Sequence, residues 1–297
     1  MSLVDELRAA CPGLKTQEPL SRHTSLAIGG PADFYADVST LQELSALRKV
    51  LTAHQLSVFF LGAGSNLLVS DRGIRGLVLH LQGDFRSIDF QNTRVNVGAG
   101  VMMPTLARQA AEKGLAGVES LIGVPGTIGG GLVMNAGTRE GWLGNVVCTV
   151  RVLGESLQVE TLSSEAFGFS YRHSNLEGRW ITGAELTLKS DEPASIMKRL
   201  DALLQYRTRT QPLTTANCGS VFKNPSEGPA AQWIEKAGFK GAIVGGARVS
   251  ERHANFIINE SNAKAADVLA LIQRIQKKVQ DEFHVRLEPE VKFVGEM

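Results

Sequence analysis

Ile122-Gly-Val-Pro-Gly-Thr-Ile-Gly-Gly-Gly-Leu-Val-Met-Asn-Ala-Gly137 is a stretch with very few large side chains. Its backbone carries no side chain at four central positions, namely Gly126, Gly129, Gly130 and Gly131. Glycine at this density is typical of a place where another strand or a ligand approaches the backbone closely. The hydroxyl of Thr127 and the amide of Asn135 favour a planar ligand with phosphates, and close packing of a second strand is the alternative.

A shorter glycine pair lies upstream in Leu61-Gly-Ala-Gly-Ser-Asn-Leu67, after a predicted strand. Such a turn exposes backbone amides that can hydrogen-bond phosphate, and a tight turn between two strands is the alternative. Leu67 stands where the fingerprint GxGxxG requires its third glycine, so a Rossmann domain is disfavoured. The motif GxxxxGK[ST] does not occur in the sequence, which excludes a P-loop.

The composition excludes several classes of protein. A chain of 297 residues suggests two domains or three small ones. Its 31 basic and 30 acidic residues give a net charge of +1, so we expect no nucleic-acid partner. The three cysteines form no CxxC pair, which predicts no metal site and a reducing cytoplasm. The N-terminus lacks a signal-peptide core, and no apolar run approaches the roughly 20 residues that cross a bilayer. We expect no membrane association.

Apolar periodicity predicts the main elements of the first two thirds of the chain. Leucines at helical spacing after Ser39 and Thr40 predict a helix over 41–54. Short β-rich runs next to glycine-containing turns predict strands over 58–61 and 77–81. Alternating apolar residues predict strands over 146–152, 157–159 and 180–188, in one antiparallel sheet.

The last third begins at a predicted domain boundary near residue 200. An apolar stripe predicts a long helix that ends near Phe283, with Asn262 as its N-cap. A final strand is expected over Val285–Val294.

Three polar motifs are candidates for chemistry, and each has a simpler alternative. Tyr171-Arg-His-Ser174 presents an arginine that can bind a carboxylate through two hydrogen bonds, although most loop arginines are merely solvated. Asn217-Cys-Gly-Ser-Val-Phe-Lys-Asn-Pro225 contains a serine that can donate a proton or simply stabilise a turn. Leu287-Glu-Pro-Glu-Val-Lys-Phe293 places two acids on one face of a strand, which can also be an exposed face.

Taken together and in this order, these segments resemble the MurB family of UDP-N-acetylenolpyruvoylglucosamine reductases. The matching motifs are GAGSNLLV at 62–69, VPGTIGGGLVMNAG at 124–137, YRHS, GSVFKNP and LEPEV, and the similarity extends from about His23 to Gly295. The resemblance implies an α+β protein. Its FAD-binding fold would be of the vanillyl-alcohol-oxidase (PCMH) type, made of two α/β subdomains, with a smaller C-terminal α/β substrate-binding domain.

The domain limits expected from this resemblance are residues 1–200 for FAD binding, with subdomains of about 1–81 and 82–200. Residues 201–285 would bind substrate, and residues 286–297 would return to the active site as a strand. The short path from Cys148 to Tyr171 is similar to that of the shorter class of the family, which lacks a substrate-covering tyrosine loop.

The resemblance also implies functional residues. The catalytic residues would be Arg172, Ser220 and Glu290. Cys218 is rejected as the proton donor because Gly219 directly precedes Ser220, as it does in the family motif. The predicted FAD contacts are Gly62, Gly64, Ser65, Asn66, Pro125, Gly126, Thr127, Gly129 and Asn135. The predicted substrate contacts are Lys223, Asn224, Arg207, Arg209 and Gln211. We expect structural roles for His23 and His173.

The implied activity is the NADPH-dependent reduction of UDP-N-acetylglucosamine enolpyruvate to UDP-N-acetylmuramate through FAD, by a cytoplasmic monomer without a metal. One alternative is another flavin oxidoreductase, which oxidises an alcohol or sugar with O2 as the acceptor. A second alternative is a flavin- or nucleotide-binding protein without catalysis. The motif GSVFKNP together with Glu290 argues against the first alternative, and the presence of all three catalytic residues argues against the second.

Overall fold

A computed structural model describes residues 2–296. The helices are α1 (Leu3–Ala10), α2 (Leu41–Ala53), α3 (Met103–Glu112), α4 (Ile128–Met134), α5 (Pro193–Thr210), α6 (Ala230–Lys236) and α7 (Ala265–Phe283). The strands of the N-terminal half are β1 (Lys15–Pro19), β2 (Pro31–Val38), β3 (Val58–Phe60), β4 (Leu67–Val69), β5 (Ile74–Leu81), β6 (Ile88–Gln91), β7 (Arg94–Gly98), β8 (Leu115–Ala116), β9 (Gly137–Thr138) and β10 (Gly141–Trp142). They are followed by β11 (Val147–Leu153), β12 (Val159–Leu162), β13 (Ile181–Thr187), β14 (Lys189–Ser190), β15 (Ile243–Val244), β16 (Ala247–Val249), β17 (Ile257–Asn259) and β18 (Lys292–Val294).

The chain divides into two compact units, and both are discontinuous in sequence. Unit 1 contains the chain up to Lys15, Tyr35–Ala63 and Val78–Tyr206. Unit 2 contains Thr16–Phe34, Gly64–Leu77 and the chain from Arg207 onward. One four-stranded sheet has the order β1-β2-β5-β3.

Unit 1 is built on an antiparallel sheet with the order β12-β11-β13-β7-β6. Val97 of β7 lies opposite Ala184 of β13, and neither side chain is exposed. The predicted antiparallel pairing is confirmed for β11 and β13, and β7 and β6 extend the sheet. The strand predicted over 157–159 is displaced, since β12 covers Val159–Leu162. Helix α4 packs against β13 and β7, so this sheet supports the second glycine-rich segment.

Helix α2 begins where the sequence predicted. The Thr40 hydroxyl accepts a hydrogen bond from the Glu43 amide at 3.2 Å, and the Glu43 carboxylate accepts from the Thr40 amide at 3.2 Å. This reciprocal capping satisfies amides that the first helical turn leaves without partners. Buried Leu44, Leu47 and Leu51 form the predicted apolar face, and the helix ends at Ala53.

Unit 2 has a separate apolar core between α7 and the antiparallel sheet β15-β16-β17. The predicted stripe on α7 is confirmed, because Val268, Ile272, Ile275 and Val279 are all buried. The predicted N-cap Asn262 is wrong, since the helix starts at Ala265.

The start of α7 is capped by a residue from a distant part of the chain. The two carboxylate oxygens of Asp71 accept hydrogen bonds from the amides of Ala265 at 2.9 Å and Ala266 at 3.2 Å. The negative charge also interacts favourably with the positive end of the helix dipole. This tertiary contact adds to a local one, in which the Asp267 carboxylate accepts from the Lys264 amide at 3.0 Å.

The end of the chain contains a shorter strand than predicted. Residues 285–291 lie outside any strand, and β18 covers only Lys292–Val294, which pairs in parallel with β4. Pro289 has no amide to donate to a regular ladder. The backbone around it instead forms hydrogen bonds with residues 221–223, so the prediction of a continuous strand from Val285 is wrong.

We expect Asp71→Ala to lower the free energy of unfolding by about 1 to 2 kcal/mol, because two amides at the start of α7 lose their acceptor. Asp71→Asn should cost less, since its amide oxygen can still accept one bond. Asp281→Ala is the control: it removes an exposed pair with Lys277 on the same helix and should change stability by less than about 0.5 kcal/mol. Urea denaturation measures all three. Equal losses for Asp71→Ala and Asp281→Ala would contradict the capping role.

Candidate functional site

The two glycine-rich segments meet in unit 1 at Gly62 and Thr127. A Cβ atom on Gly62 would lie 2.5 Å from the Thr127 Oγ1 atom, so only glycine fits there without movement of the threonine. Thr127 is buried and is the N-cap of α4, where its hydroxyl accepts from the Gly130 amide at 3.4 Å. Two of the predicted FAD contacts, distant in sequence, are therefore neighbours.

The other predicted residues of the second segment differ in what they offer a ligand. Gly126 has a φ of 143° and its carbonyl accepts from the Met103 amide at 2.9 Å, whereas Pro125 is exposed. The Gly129 amide donates to the Ala99 carbonyl at 2.8 Å, and a Cβ on Gly129 would lie 3.2 Å from the same carbonyl oxygen, so this glycine packs closely against Ala99. A Cβ on Gly130 would meet no atom closer than 3.7 Å, so the backbone is open at this position.

Asn135 ends α4 in the left-handed conformation, with φ 43°, and its side chain is buried. Its amide nitrogen donates to the Ser170 carbonyl at 3.0 Å, and its amide oxygen accepts from the Gly144 amide at 3.0 Å. The side chain thus joins two loops, one of which leads directly to Arg172. Its predicted contact with FAD remains a prediction beside this observed bridging role.

Arg172 lies in a tight turn in which the backbones of Ser170 and His173 hydrogen-bond to each other. Its φ is 54°, and its Nη1 atom donates to the Gly137 carbonyl at 3.1 Å. The guanidinium carbon lies 5.3 Å from the ring centre of Trp142 and 5.4 Å from that of Tyr171. A cation is attracted to the face of an aromatic ring, so the two rings restrict the orientation of the arginine fork.

Trp142 is a residue of this site that the sequence did not indicate. Its ring contacts that of Tyr171 edge to face, with 5.6 Å between the ring centres. The hairpin of β9 and β10 brings it to Arg172. No spacing rule signals this contact, because an aromatic residue in a short hairpin is usually a packing residue.

The rest of the first glycine-rich segment lies in unit 2. Gly64 has φ 61°, and a Cβ there would overlap the His23 carbonyl. The Asn66 side chain donates to the Glu290 carbonyl at 3.0 Å, and the Asn66 carbonyl accepts from the Lys292 amide at 3.0 Å. The predicted FAD contact Asn66 is therefore also attached to the segment that carries Glu290.

Ser220 and Glu290 lie on segments joined by backbone hydrogen bonds. The Glu290 amide donates to the Val221 carbonyl at 2.7 Å, and the Lys223 amide donates to the Glu288 carbonyl at 2.9 Å. Residues 220 and 290 are thus held at neighbouring positions in unit 2. The carbonyl of Ser65 is also close, since a Cβ on Gly219 would lie 3.7 Å from it. Three separate sequence motifs meet here.

The turn before Ser220 depends on Gly219, which has φ 76°. The Asn217 side chain stabilises this turn by accepting a hydrogen bond from the Gly219 amide at 2.9 Å. Complete burial raises the pKa of the Cys218 thiol to about 12. The thiol of Cys218 is thus enclosed by protein, with 1% of the residue's surface exposed.

The predicted substrate residues all lie in unit 2. Lys223 pairs with the Glu288 carboxylate at 2.6 Å, and the Asn224 side-chain oxygen accepts from the Ala230 amide at 3.0 Å. Arg207 and Arg209 lie in the last turn of α5, and Gln211 directly follows the helix. Arg252 donates to the Thr208 and Gln211 carbonyls.

His253 is a partly buried titratable group of unit 2 with two cations near it. Burial lowers the pKa of His253, and the positive charges of Lys240 and Arg207 lower it further. His23, by contrast, pairs with Glu18 at 2.8 Å.

Across residues 2–296 there is no group of three or more His, Cys, Asp or Glu side chains arranged to hold a metal. None of the helices in this range is long and apolar enough to cross a membrane.

Comparisons with known proteins show the family and the fold. A family model described as the C-terminal domain of UDP-N-acetylenolpyruvoylglucosamine reductase matches residues 211–294, and a model described as an FAD-binding domain matches residues 32–160. UDP-N-acetylenolpyruvoylglucosamine reductase 2 of Symbiobacterium thermophilum is 46% identical over 287 residues, which cover 96% of this chain and 93% of the relative.

The chain belongs to the MurB family.

A crystal structure of MurB from Thermus caldophilus has a TM-score of 0.82 and 37% identity, with 93% of this chain and 97% of that chain covered. The MurB relative of Caldanaerobacter subterraneus is 43% identical and covers 99% of this chain and 98% of its own. A Phl p 4 variant described as a glucose oxidase has 11% identity and a TM-score of 0.50 over 72% of this chain and 51% of its own, which shows the fold alone. The α+β fold of the vanillyl-alcohol-oxidase type is confirmed. The assignment to the shorter class of the MurB family and the predicted domain limits remain predictions.

We expect Gly62→Ala to lower the free energy of unfolding by about 1 to 3 kcal/mol, because its methyl group overlaps Thr127. Gly13→Ala is the control, since a Cβ at that position meets no atom within 4 Å. In the double variant Gly62→Ala with Thr127→Ala the overlap is gone, so its loss should be smaller than the sum of the single losses. Strict additivity in denaturant unfolding would show that the two segments do not press on each other at this point.

Proposed function

We propose that this chain reduces the enolpyruvyl double bond of UDP-N-acetylglucosamine enolpyruvate to give UDP-N-acetylmuramate, with FAD as cofactor and NADPH as reductant. The single observation that carries the proposal is the adjacency of the Ser220 and Glu290 segments, joined through the Val221 carbonyl. The first glycine-rich motif contacts both segments through Ser65 and Asn66. The reaction itself is inferred from membership of the MurB family.

The residues present fit FAD. In unit 1, glycine at position 62 leaves room where the two glycine-rich segments meet, and no side chain covers the backbone at Gly130. The predicted contacts in unit 1 are Gly62, Pro125, Gly126, Thr127, Gly129 and Asn135, and those in unit 2 are Gly64, Ser65 and Asn66. Held by these residues, FAD would supply the hydride-transfer chemistry that links NADPH to the enolpyruvyl double bond of the substrate.

The protein's own residues handle the charge and the proton. Hydride addition leaves a negative charge on the carbon beside the substrate carboxylate. We assign Arg172 to bind that carboxylate, because its fork offers parallel donors and its orientation is restricted by Trp142 and Tyr171. Glu290, in its protonated form, stabilises the same developing charge. A well-placed donor of this kind lowers a barrier by about 3 to 4 kcal/mol in a site that excludes water.

Ser220 then donates its Oγ proton to the carbon beside the carboxylate, and the new C–H bond completes the reduction. A serine hydroxyl is a weak acid, so this role requires an acceptor as basic as a carbanion.

The nucleotide diphosphate requires polar and positively charged side chains that bind it. We assign Lys223 and Asn224 to it, with weaker contributions from Arg207, Arg209 and Gln211. Lys223, Arg207 and Arg209 are the cations among these residues, and cations attract the negative charges of a diphosphate. A cytoplasmic location and a monomeric state belong to the same proposal.

We expect Ser220→Ala to leave the reduction of bound FAD by NADPH unchanged and to slow its reoxidation by the enolpyruvyl nucleotide by at least about 100-fold, because the proton donor is lost. Stopped-flow absorbance follows both half-reactions. An unchanged second half-reaction would remove Ser220 from the mechanism. Reduction of FAD by an alcohol or sugar, followed by rapid reoxidation by O2, would favour the oxidase alternative. If NADPH never reduced the absorbance of bound FAD, the chain would be a flavin-binding protein without catalysis.

Gly219→Ala and Gly238→Ala form a matched pair, since their φ values are 76° and 74° and neither Cβ would meet a close atom. Both should lose about 1 to 2 kcal/mol of stability, because alanine is strained at positive φ. We expect only Gly219→Ala to slow the second half-reaction, by about 10- to 100-fold, since the backbone change moves the Ser220 hydroxyl. Equal activity of the two variants would show that the position of residue 220 does not limit the reaction.

A further inference from the structure

Asn255 is a buried polar residue in unit 2, with 3% of its surface exposed. Its side-chain oxygen accepts a hydrogen bond from the Phe222 amide at 2.9 Å, and its side-chain nitrogen donates to the Phe222 carbonyl at 2.8 Å. A single side chain thus binds both backbone polar groups of Phe222, its N–H and its C=O. An asparagine amide can do this because it carries one donor group and one acceptor, as the backbone does.

The backbone of Asn255 adds a third bond to the same segment. Its carbonyl accepts from the Val221 amide at 2.9 Å, while the Val221 carbonyl accepts from the Glu290 amide on the other side. Residues 221 and 222 are therefore fixed from two directions, by Asn255 and by the segment of Glu290. Val221 and Phe222 are themselves 1% exposed, so water cannot replace these bonds.

Asn255 is itself held in place by its neighbours. Its backbone amide donates to the Nδ1 atom of His253 at 3.3 Å, and the Ser250 hydroxyl accepts from the His253 amide at 3.4 Å. The loop before β17 is therefore ordered independently of the segment that it supports.

We propose that Asn255 is the positioning residue for the proton donor Ser220. The Ser220 backbone lies between the Gly219 turn and the segment that Asn255 binds, so the amide of Asn255 determines where the Ser220 hydroxyl points. The inference rests on the proposed function, because it assigns a role only if Ser220 donates the proton. Asn255 touches neither the substrate nor the cofactor in this proposal and acts through the peptide units after Ser220.

The test compares Asn255→Ala and the isosteric Asn255→Asp in the full FAD-loaded enzyme. Aspartate keeps the acceptor for the Phe222 amide, but in its ionised form it cannot donate to the Phe222 carbonyl. Asn259 provides a matched control on the same strand region, because its side chain also bridges backbone groups, to Leu26 at 3.1 Å and Ala263 at 2.9 Å. Asn259→Ala and Asn259→Asp remove comparable bonds without touching residues 221 and 222.

We expect both Asn255 variants to reduce FAD with NADPH at the normal rate and to slow its reoxidation by UDP-N-acetylglucosamine enolpyruvate by about 10- to 100-fold. Amide hydrogen exchange should accelerate in the peptide covering residues 218–224. The Asn259 variants should show normal rates in both half-reactions and normal exchange in that peptide. If Asn255→Ala does not fold, Asn255→Asp carries the test, because it conserves the volume of the side chain.

A double variant separates this inference from the proposed function. If Asn255 acts through Ser220, adding Asn255→Asp to Ser220→Ala should slow the second half-reaction little beyond Ser220→Ala alone. Multiplied effects would overturn the positioning role. Normal reoxidation in Asn255→Asp, while Ser220→Ala is slow, would also overturn it and leave the proposed function intact. A normal second half-reaction in Ser220→Ala would instead refute the proposed function.

Discussion

The hydrogen bond from the Glu290 amide to the Val221 carbonyl is the constraint on which the arrangement of unit 2 depends. It joins two segments that are far apart in sequence, neither of which forms a regular strand at that point. Because both groups are shielded from water, breaking this bond would leave a buried donor and acceptor without partners, which is costly. The bond therefore fixes Ser220 and Glu290 as neighbours, and the parallel pair of β4 and β18 brings the first glycine-rich segment to the same place.

Asparagine side chains take over where regular backbone pairing ends. Asn66 binds the carbonyl of Glu290, Asn135 binds the carbonyl of Ser170 two residues before Arg172, and Asn255 binds Phe222 two residues after Ser220. Each predicted catalytic residue thus has an asparagine beside it that holds the local backbone. Loops have few ladder bonds of their own, so a side chain with both a donor and an acceptor can provide the rigidity that a reactive group needs.

The glycines of this protein meet two different physical demands. Gly62 leaves room for Thr127, so that two segments can approach within a distance that a side chain would prevent. Gly219 provides a left-handed turn that directs the chain into Ser220, with no crowding around its Cα atom. Substitution at the first site causes overlap and at the second causes backbone strain. The same residue type thus serves close approach in one place and chain direction in the other.

The sequence alone determined the family, the glycine-rich segments, the antiparallel pairing of β11 and β13, and the apolar stripe of α7, because each depends on short-range periodicity or on a contiguous motif. The tertiary structure alone decided which distant residues meet. Asp71 caps α7 in place of Asn262, the segment before β18 pairs with residues 221–223 rather than continuing as a strand, and Trp142 lies against Arg172. No local pattern encodes these contacts, because a carboxylate, a carbonyl or an aromatic face finds its partner only after the chain has packed. For the same reason Asn255 carried no signal in the sequence, and its role follows from the two hydrogen bonds that folding places on Phe222.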